Sequence, residues 1–267
     1  MRLGMRRGVT AFRRRAALAA ASLAAAAMAA AALAQAPPRA ACPAGTIHLT
    51  IDTGWGREAE RIAEILRRRG VRATLFVAHE PTHTGERALG PGWAAFWRAR
   101  AAEGHVFASH TDRHWYFRAD AGPGRVRYVS RGREGEEVLD QAAMCRELAR
   151  PIERLREAVP EAVVLPLWRA PGGITTPNAL RLGEACGLRH QGWTTNGFLG
   201  DEWPSEAHPN RVLAARAIRS VRDGEVLVMH WGVRARREPF AEVLEEVIAG
   251  LAARGFCFAT LPPEGRR

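Results

Sequence analysis

The sequence predicts an α/β fold in which parallel strands, with helices outside them, close into a barrel. Three observations lead there. After residue 45, short apolar runs alternate with stretches of helical spacing, with no long linker and no repeat of fixed period. Such alternation implies a parallel sheet covered by helices. The 267 residues suffice for one large domain of this kind. Side chains capable of chemistry stand at the C-terminal ends of successive strands: Asp52, His110 with His114, Arg169, the stretch 193–196, and His230. In βα barrels that rim is where sites are assembled. A doubly wound open sheet is the alternative arrangement of the same units.

Element by element, residues 46–52 read as a short apolar strand. Residues 58–69 read as a helix through Ile62, Ile65 and Leu66. Strands follow at 71–77 and 106–109, with a helix at 93–102 between them. Residues 118–133 are rich in Gly and Arg and read as a loop. Residues 134–158 read as one long helix, with Pro151 as its breaking point. A strand at 163–168, a helix at 177–186 ended by Gly187, and a strand at 189–194 come next, then a second loop at 196–209. Helices at 211–222 and 240–253 alternate with strands at 225–230 and 256–261.

Residues 1–36 stand apart from this pattern. Arg6, Arg7, Arg13, Arg14 and Arg15 form a basic head, an apolar run spans 16–33, and Ala34-Gln35-Ala36 gives a small-x-small site. This is the layout of a secretory signal peptide, and the Ala-rich run is too weakly apolar for a membrane span. The expected organisation is a signal at 1–36, a short lead at 37–45, the main domain at 46–262 and a tail at 263–267. The protein is expected to be exported, periplasmic or secreted, without a membrane span once the signal is cleaved.

Removing the six Arg of residues 1–36 takes the formal charge from +11 to about +5. Every remaining base is Arg, interleaved with Glu58, Glu60 and Glu64 on the first helix, as on a solvated surface. Charge alone speaks for nucleic-acid binding, and no motif joins it. Four Cys without Cys-x-x-Cys spacing point to disulfides in an exported chain rather than a zinc site. Cys42 and Cys257 become neighbours if first and last strands meet, and Cys145 and Cys186 lie on helices flanking one strand. Of three possible pairings, Cys42–Cys257 with Cys145–Cys186 is expected.

His110-Thr-Asp-Arg-His114 places two imidazoles four residues apart, close enough on one turn to share a divalent metal. Asp52, in Leu49-Thr-Ile-Asp-Thr-Gly54, is placed to act as a base on water, or else as the N-cap of the next helix. Arg169, in Trp168-Arg-Ala-Pro-Gly-Gly173, is expected to hold a carboxylate in bidentate fashion, and the Gly-rich turn offers a backbone N–H to an anion. His230, in Leu227-Val-Met-His-Trp231, is placed as a general acid or as a core histidine.

Together these segments resemble the polysaccharide deacetylase (NodB-homology, carbohydrate esterase family 4) family over nearly the whole main domain. Residues 49–54 resemble its Thr-Phe-Asp-Asp-Gly strand end, 73–77 its second strand, and 103–114 its His-Ser/Thr-x-x-His motif. Residues 168–173 are similar to Arg-x-Pro-x-Gly, 226–230 to Leu-x-His, and 251–261 to its closing helix and strand. The resemblance implies a NodB-type distorted (β/α) barrel that removes N-acetyl groups from a peptidoglycan- or chitin-like polysaccharide. It implies Asp52 as base, His110 and His114 as ligands of a divalent metal expected to be zinc, and Arg169 as tether of the base. Gly172 N–H becomes the oxyanion donor and His230 the acid.

The chain departs from the family twice. Thr53 occupies the place of the second Asp, usually the third protein ligand. Around 193–196 the usual acidic residues are missing, which leaves Asn196 or Asp201 to orient His230. Thr53 keeps a second reading open, a catalytically impaired carbohydrate-binding relative. Trp55, Trp115, Trp168, Trp193, Trp203 and Trp231 lie near the motifs, and Trp203 and Trp231 are expected to form a wall for sugar rings.

Overall fold

The computed structural model describes residues 42–132 and 135–266. The expected signal at 1–36 lies outside the described residues. The first half of the fold comprises β1 (Gly45–Asp52), α1 (Ala59–Arg68), β2 (Thr74–Val77), α2 (Ala94–Ala102) and β3 (Val106–Ser109). Three short strands follow, β4 (Tyr116–Asp120), β5 (Val126–Val129) and β6 (Glu136–Leu139), then α3 (Gln141–Ala158) and β7 (Val164–Trp168). The chain ends with α4 (Pro177–Ala185), β8 (Arg189–His190), α5 (Asn210–Ser220), β9 (Val226–His230), α6 (Leu244–Ala253) and β10 (Phe256–Phe258).

β1 is buried from Ile47 through Asp52, as a parallel strand covered on both faces must be. Around it the main sheet runs β10-β1-β2-β3-β7-β8, with β9 also on β1, every pair parallel. One edge of β1 serves two strands in succession: Gly45–Ile47 pair with β10 and Thr50–Asp52 with β2. The other edge carries β9 in a register that sets Asp52 opposite His230. The sheet is curled, as expected, and is not an open doubly wound one.

Its closure differs from the expected strand at 189–194. β8 has two residues, and the chain then moves across to β9. There Thr194 N donates to Val226 O at 3.2 Å and Val228 N to Gly197 O at 2.9 Å. Gly197 is required, because a Cβ would overlap the Val226 carbonyl. Irregular backbone with one glycine contact therefore spans the gap that a regular strand would have filled.

Residues 118–133 are not simply a loop. β4, β5 and β6 form an antiparallel three-stranded sheet. Phe117, Val126, Tyr128 and Leu139 turn inward onto Met144, Leu148 and Trp168, while Arg127 and Glu136 pair outside. The two-residue period was hidden by the Gly and Arg around it. α3 accordingly begins later than residue 134, where Asp140 caps it by accepting from Ala143 N at 2.8 Å. It also runs through Pro151 without ending. Proline at 151 frees the carbonyl of Glu147 four residues back, and that oxygen accepts from Asp112 N at 3.0 Å.

Both expected disulfides are present. Cys42–Cys257 ties the lead to β10 with Cα atoms 5.4 Å apart, and Cys145–Cys186 joins α3 to the end of α4 at 5.3 Å. Near the C-terminus Glu264 O accepts from Arg189 at 2.7 Å, and Arg266 Nε lies 3.1 Å from His48 Nε2. Among the described residues no helix is long and apolar enough to cross a membrane.

Candidate active site

The segment after β3 is bent: Thr111 has φ 65° and His114 φ 57°, left-handed values that L side chains seldom adopt. Such strain persists where the surroundings over-determine it, and here α3 does so. Ser109 Oγ donates to Leu148 O at 2.7 Å, and Arg113 N and Nε donate to the Glu147 carboxylate at 2.7 and 3.0 Å. Arg154 Nε donates to Asp112 Oδ1 at 3.0 Å. The Tyr128 hydroxyl, from β5, accepts from Trp115 N and stands 2.9 Å from both Thr111 Oγ1 and Glu147 Oε1. The carbonyl released by Pro151 thus belongs to the same clamp that holds the two histidines.

His110 is buried, and its Nδ1 lies 3.0 Å from the Arg169 carbonyl. That carbonyl can only accept, so Nδ1 carries the proton and Nε2 keeps its lone pair. Burial pushes His110 down to about 4, against the upward pull of Asp52, so the ring is neutral at physiological pH. His114 meets it edge to face, with ring centroids 4.9 Å apart.

Asp52 ends β1, buried. Its Oδ1 accepts from Arg169 Nη1 at 2.7 Å and its Oδ2 lies 3.5 Å from His110 Nε2. The tether is therefore single and not bidentate. Three of the other four N–H groups of Arg169 go to Thr50 Oγ1, Gln191 O and Gly192 O at 2.8, 3.0 and 3.3 Å, and its guanidinium lies over the Phe76 ring. Desolvation alone would raise the Asp52 carboxyl, but Arg169, His110 and His230 outweigh it and hold the group below its ordinary range.

His230 ends β9. Its backbone N donates to Asp201 Oδ2 at 2.7 Å, and its Nδ1 stands 3.1 Å from the same oxygen. Burial pulls this imidazole down, yet Asp201, Glu202 and Asp52 together raise it to about 10. Of the two expected partners, Asp201 is the one in contact with His230. Asn196 is spent elsewhere, donating to Glu225 at 2.8 Å beside the opposite end of β9.

Gly172 has φ 63°, and a Cβ there would come within 2.9 Å of the Tyr116 ring. The hydrogen bonds of its turn are made by Gly173 N and Ile174 N to Ala170 O and Pro171 O. Gly172 N–H stays out of that ladder, at the edge of the cleft. The cleft holds about 870 Å³ and is lined by Asp52, His114, Gly172 and His230 together with Trp55, Trp115, Tyr116, Trp193 and Phe198.

The expected sugar wall needs correction. Trp231 is 2% exposed and packs edge-on against Phe96 and Trp97, beneath the rim. Trp203 meets Phe198 edge to face, lies tilted against His208 and under the Arg216 guanidinium, and is not among the cleft residues. Trp168 is core. Glu80, which no spacing in the sequence marked, lines the cleft with Oε2 3.6 Å from His114 Nδ1.

The family model described as polysaccharide deacetylase matches residues 40–190. The chain belongs to the polysaccharide deacetylase family. Solved structures of carbohydrate esterases and deacetylases share its fold. A family 4 carbohydrate esterase from Streptomyces lividans, in complex with acetate, is 21% identical with a TM-score of 0.60, over 83% of this chain and 96% of its own. A peptidoglycan N-acetylglucosamine deacetylase is 18% identical with the same TM-score, over 81% and 86%. A pseudoenzyme of the esterase family from Bacillus anthracis is 17% identical, also at 0.60, over 82% of this chain and 64% of its own. No curated protein matches the sequence.

Members of this polysaccharide deacetylase family characteristically use a divalent metal, and the donors present suit one. His110 offers a neutral Nε2, His114 a second imidazole, and Glu80 Oε1 is buried with no hydrogen-bond partner. Imidazole with carboxylate is the donor chemistry of zinc. As they stand, no group of three His, Cys, Asp or Glu side chains among the described residues is placed to hold a metal ion. Thr53 Oγ1 accepts from Ala78 N at 3.2 Å, and a neutral hydroxyl is a poorer metal donor than a carboxylate.

Proposed function

We propose that the protein is an exported N-deacetylase that releases acetate from N-acetyl groups of a cell-wall or extracellular polysaccharide, peptidoglycan- or chitin-like. One observation carries this reading. Two groups with opposite proton demands, Asp52 held ionised and His230 held protonated, are register partners facing one cleft. Two titratable groups driven apart in this way are the mark of an acid–base pair.

In this reading Asp52 Oδ2 takes the proton of the attacking water. His230 Nε2 gives its proton to the departing amine as the C–N bond breaks. Gly172 N–H donates to the oxygen of the tetrahedral intermediate. Trp193, Phe198 and Tyr116 offer ring faces to the sugar. A divalent ion bound beside His110 and His114 supplies Lewis acidity. The two disulfides support export, because they persist in oxidising compartments.

Thr53 favours the second reading, a relative that binds polysaccharide without cleaving it. Acetate release from a panel of N-acetylated glycans, after chelation and after zinc is restored, decides between them. Acetate that disappears with chelator and returns with zinc supports the deacetylase. Polymer binding without acetate from any glycan supports the second reading.

A further inference from the structure

The site has lost a carboxylate at position 53 without losing its two histidines. A different segment brings a carboxylate into the same cleft, beside His114. Glu80 follows β2 and lies two residues beyond Ala78, whose N–H engages Thr53. His79 N donates to Asp112 O at 2.8 Å, so this segment is pinned directly to the bend that carries His110 and His114. Ala88 N donates to Glu80 O at 2.9 Å and fixes the far side.

The side chain is placed for ligation more than for a structural hydrogen bond. Its Oε2 is 3.6 Å from His114 Nδ1, longer than the roughly 2.7–3.2 Å of an N–H···O bond. Two donors on one tetrahedral zinc, with bonds of about 2.0–2.1 Å, stand about 3.3–3.4 Å apart. Its Oε1 is buried with no partner, and a buried oxygen without a bond is costly enough to need an explanation. Among the described residues no arginine forms an ion pair with it.

We propose that Glu80 is the carboxylate ligand of the metal in this chain, completing with His110 and His114 the set of two imidazoles and one carboxylate that Thr53 cannot complete. Closing the three around an ion takes a rotation of the Glu80 and His114 side chains. The inference rests on the metal-dependent reading above, but zinc binding without substrate tests it separately.

The apo protein is titrated with zinc against a chromogenic chelator, as parent, Glu80→Gln, Thr53→Asp and the double variant. Glu80→Gln should lose more zinc affinity than the 10–100-fold, roughly, that removal of an outer hydrogen-bond partner costs. The visible spectrum of the cobalt-substituted protein should change with it, since a ligand is lost. Thr53→Asp in the Glu80→Gln background should restore most of the affinity. Glu80→Gln with parental affinity, or with a smaller loss and an unaltered cobalt spectrum, overturns the assignment. So does a parent that takes up no zinc. If Glu80→Gln fails to fold by circular dichroism, Glu80→Asp replaces it: weakened zinc binding is expected, and parental binding overturns the proposal. A chain that binds zinc through Glu80 yet releases no acetate keeps this inference and loses the deacetylase reading.

Discussion

Asp201 and His230 form a doubly joined pair, because one carboxylate oxygen receives the His230 backbone N–H at 2.7 Å and stands 3.1 Å from its Nδ1. The backbone bond fixes the carboxylate before the ring is considered. The ring then finds its anion already in place, and His230 lines the cleft. Across the β1–β9 register Arg169 does the reverse for Asp52, holding it ionised. His230 and Asp52, on the neighbouring strands β9 and β1, are thus each paired with a different counter-charge.

Asp201→Asn should move the alkaline side of the pH–rate profile. His230, held at about 10, loses the anion that keeps it protonated, so turnover should begin to fall at a lower pH than in the parent. The raised value also stabilises the fold: that contribution is complete below the ordinary 6.5 and is lost as pH rises through about 10. The variant should flatten this dependence. His230→Ala should lower turnover about 10²–10⁴-fold with zinc content unchanged, and metal analysis beside the pH–rate profile checks both.

Arg169→Met should destabilise the protein by about 3–5 kcal/mol, because it leaves Asp52 buried without its counter-charge. Denaturant unfolding at neutral pH measures this. The paired Asp52 carboxylate contributes stability above its ordinary value of 3.8 that is lost as pH falls through its lower folded value. In Arg169→Met that contribution disappears, and stability should fall less on acidification than in the parent.

Trp231→Ala and Trp193→Ala should separate core from cleft. Trp231→Ala should cost about 3–5 kcal/mol of stability, as a large side chain removed from a packed cluster does. Trp193→Ala should weaken polymer binding by about 0.5–1.5 kcal/mol and leave stability close to the parent's. Thermal unfolding and polymer affinity, measured on both, check the division. Equal stability losses would place Trp193 in the core.

Cys145→Ala with Cys186→Ala should lower stability by about 2–4 kcal/mol, because the crosslink closing that loop restricts the unfolded chain. Unfolding midpoints of the double variant and the parent, both kept oxidised, give the value.

Sequence alone determined the parallel α/β alternation and the strand ends that carry Asp52, His110, Arg169 and His230, and it favoured the observed disulfide pairs among the three possible pairings. Each of these follows from local period or from order along the chain, because a residue at the end of a parallel strand must stand at the rim. The antiparallel sheet β4–β6 escaped this reading: its alternation was short and lay among Gly and Arg. Only the tertiary structure decided between Asp201 and Asn196, showed Arg169 holding Asp52 by one oxygen, sent Trp231 into the core, and brought Glu80 to His114. These contacts join segments far apart in sequence, 29 residues for Asp201 and His230. They depend on how the loops close over the rim once the sheet has curled, and the spacing of residues within one segment carries no record of that.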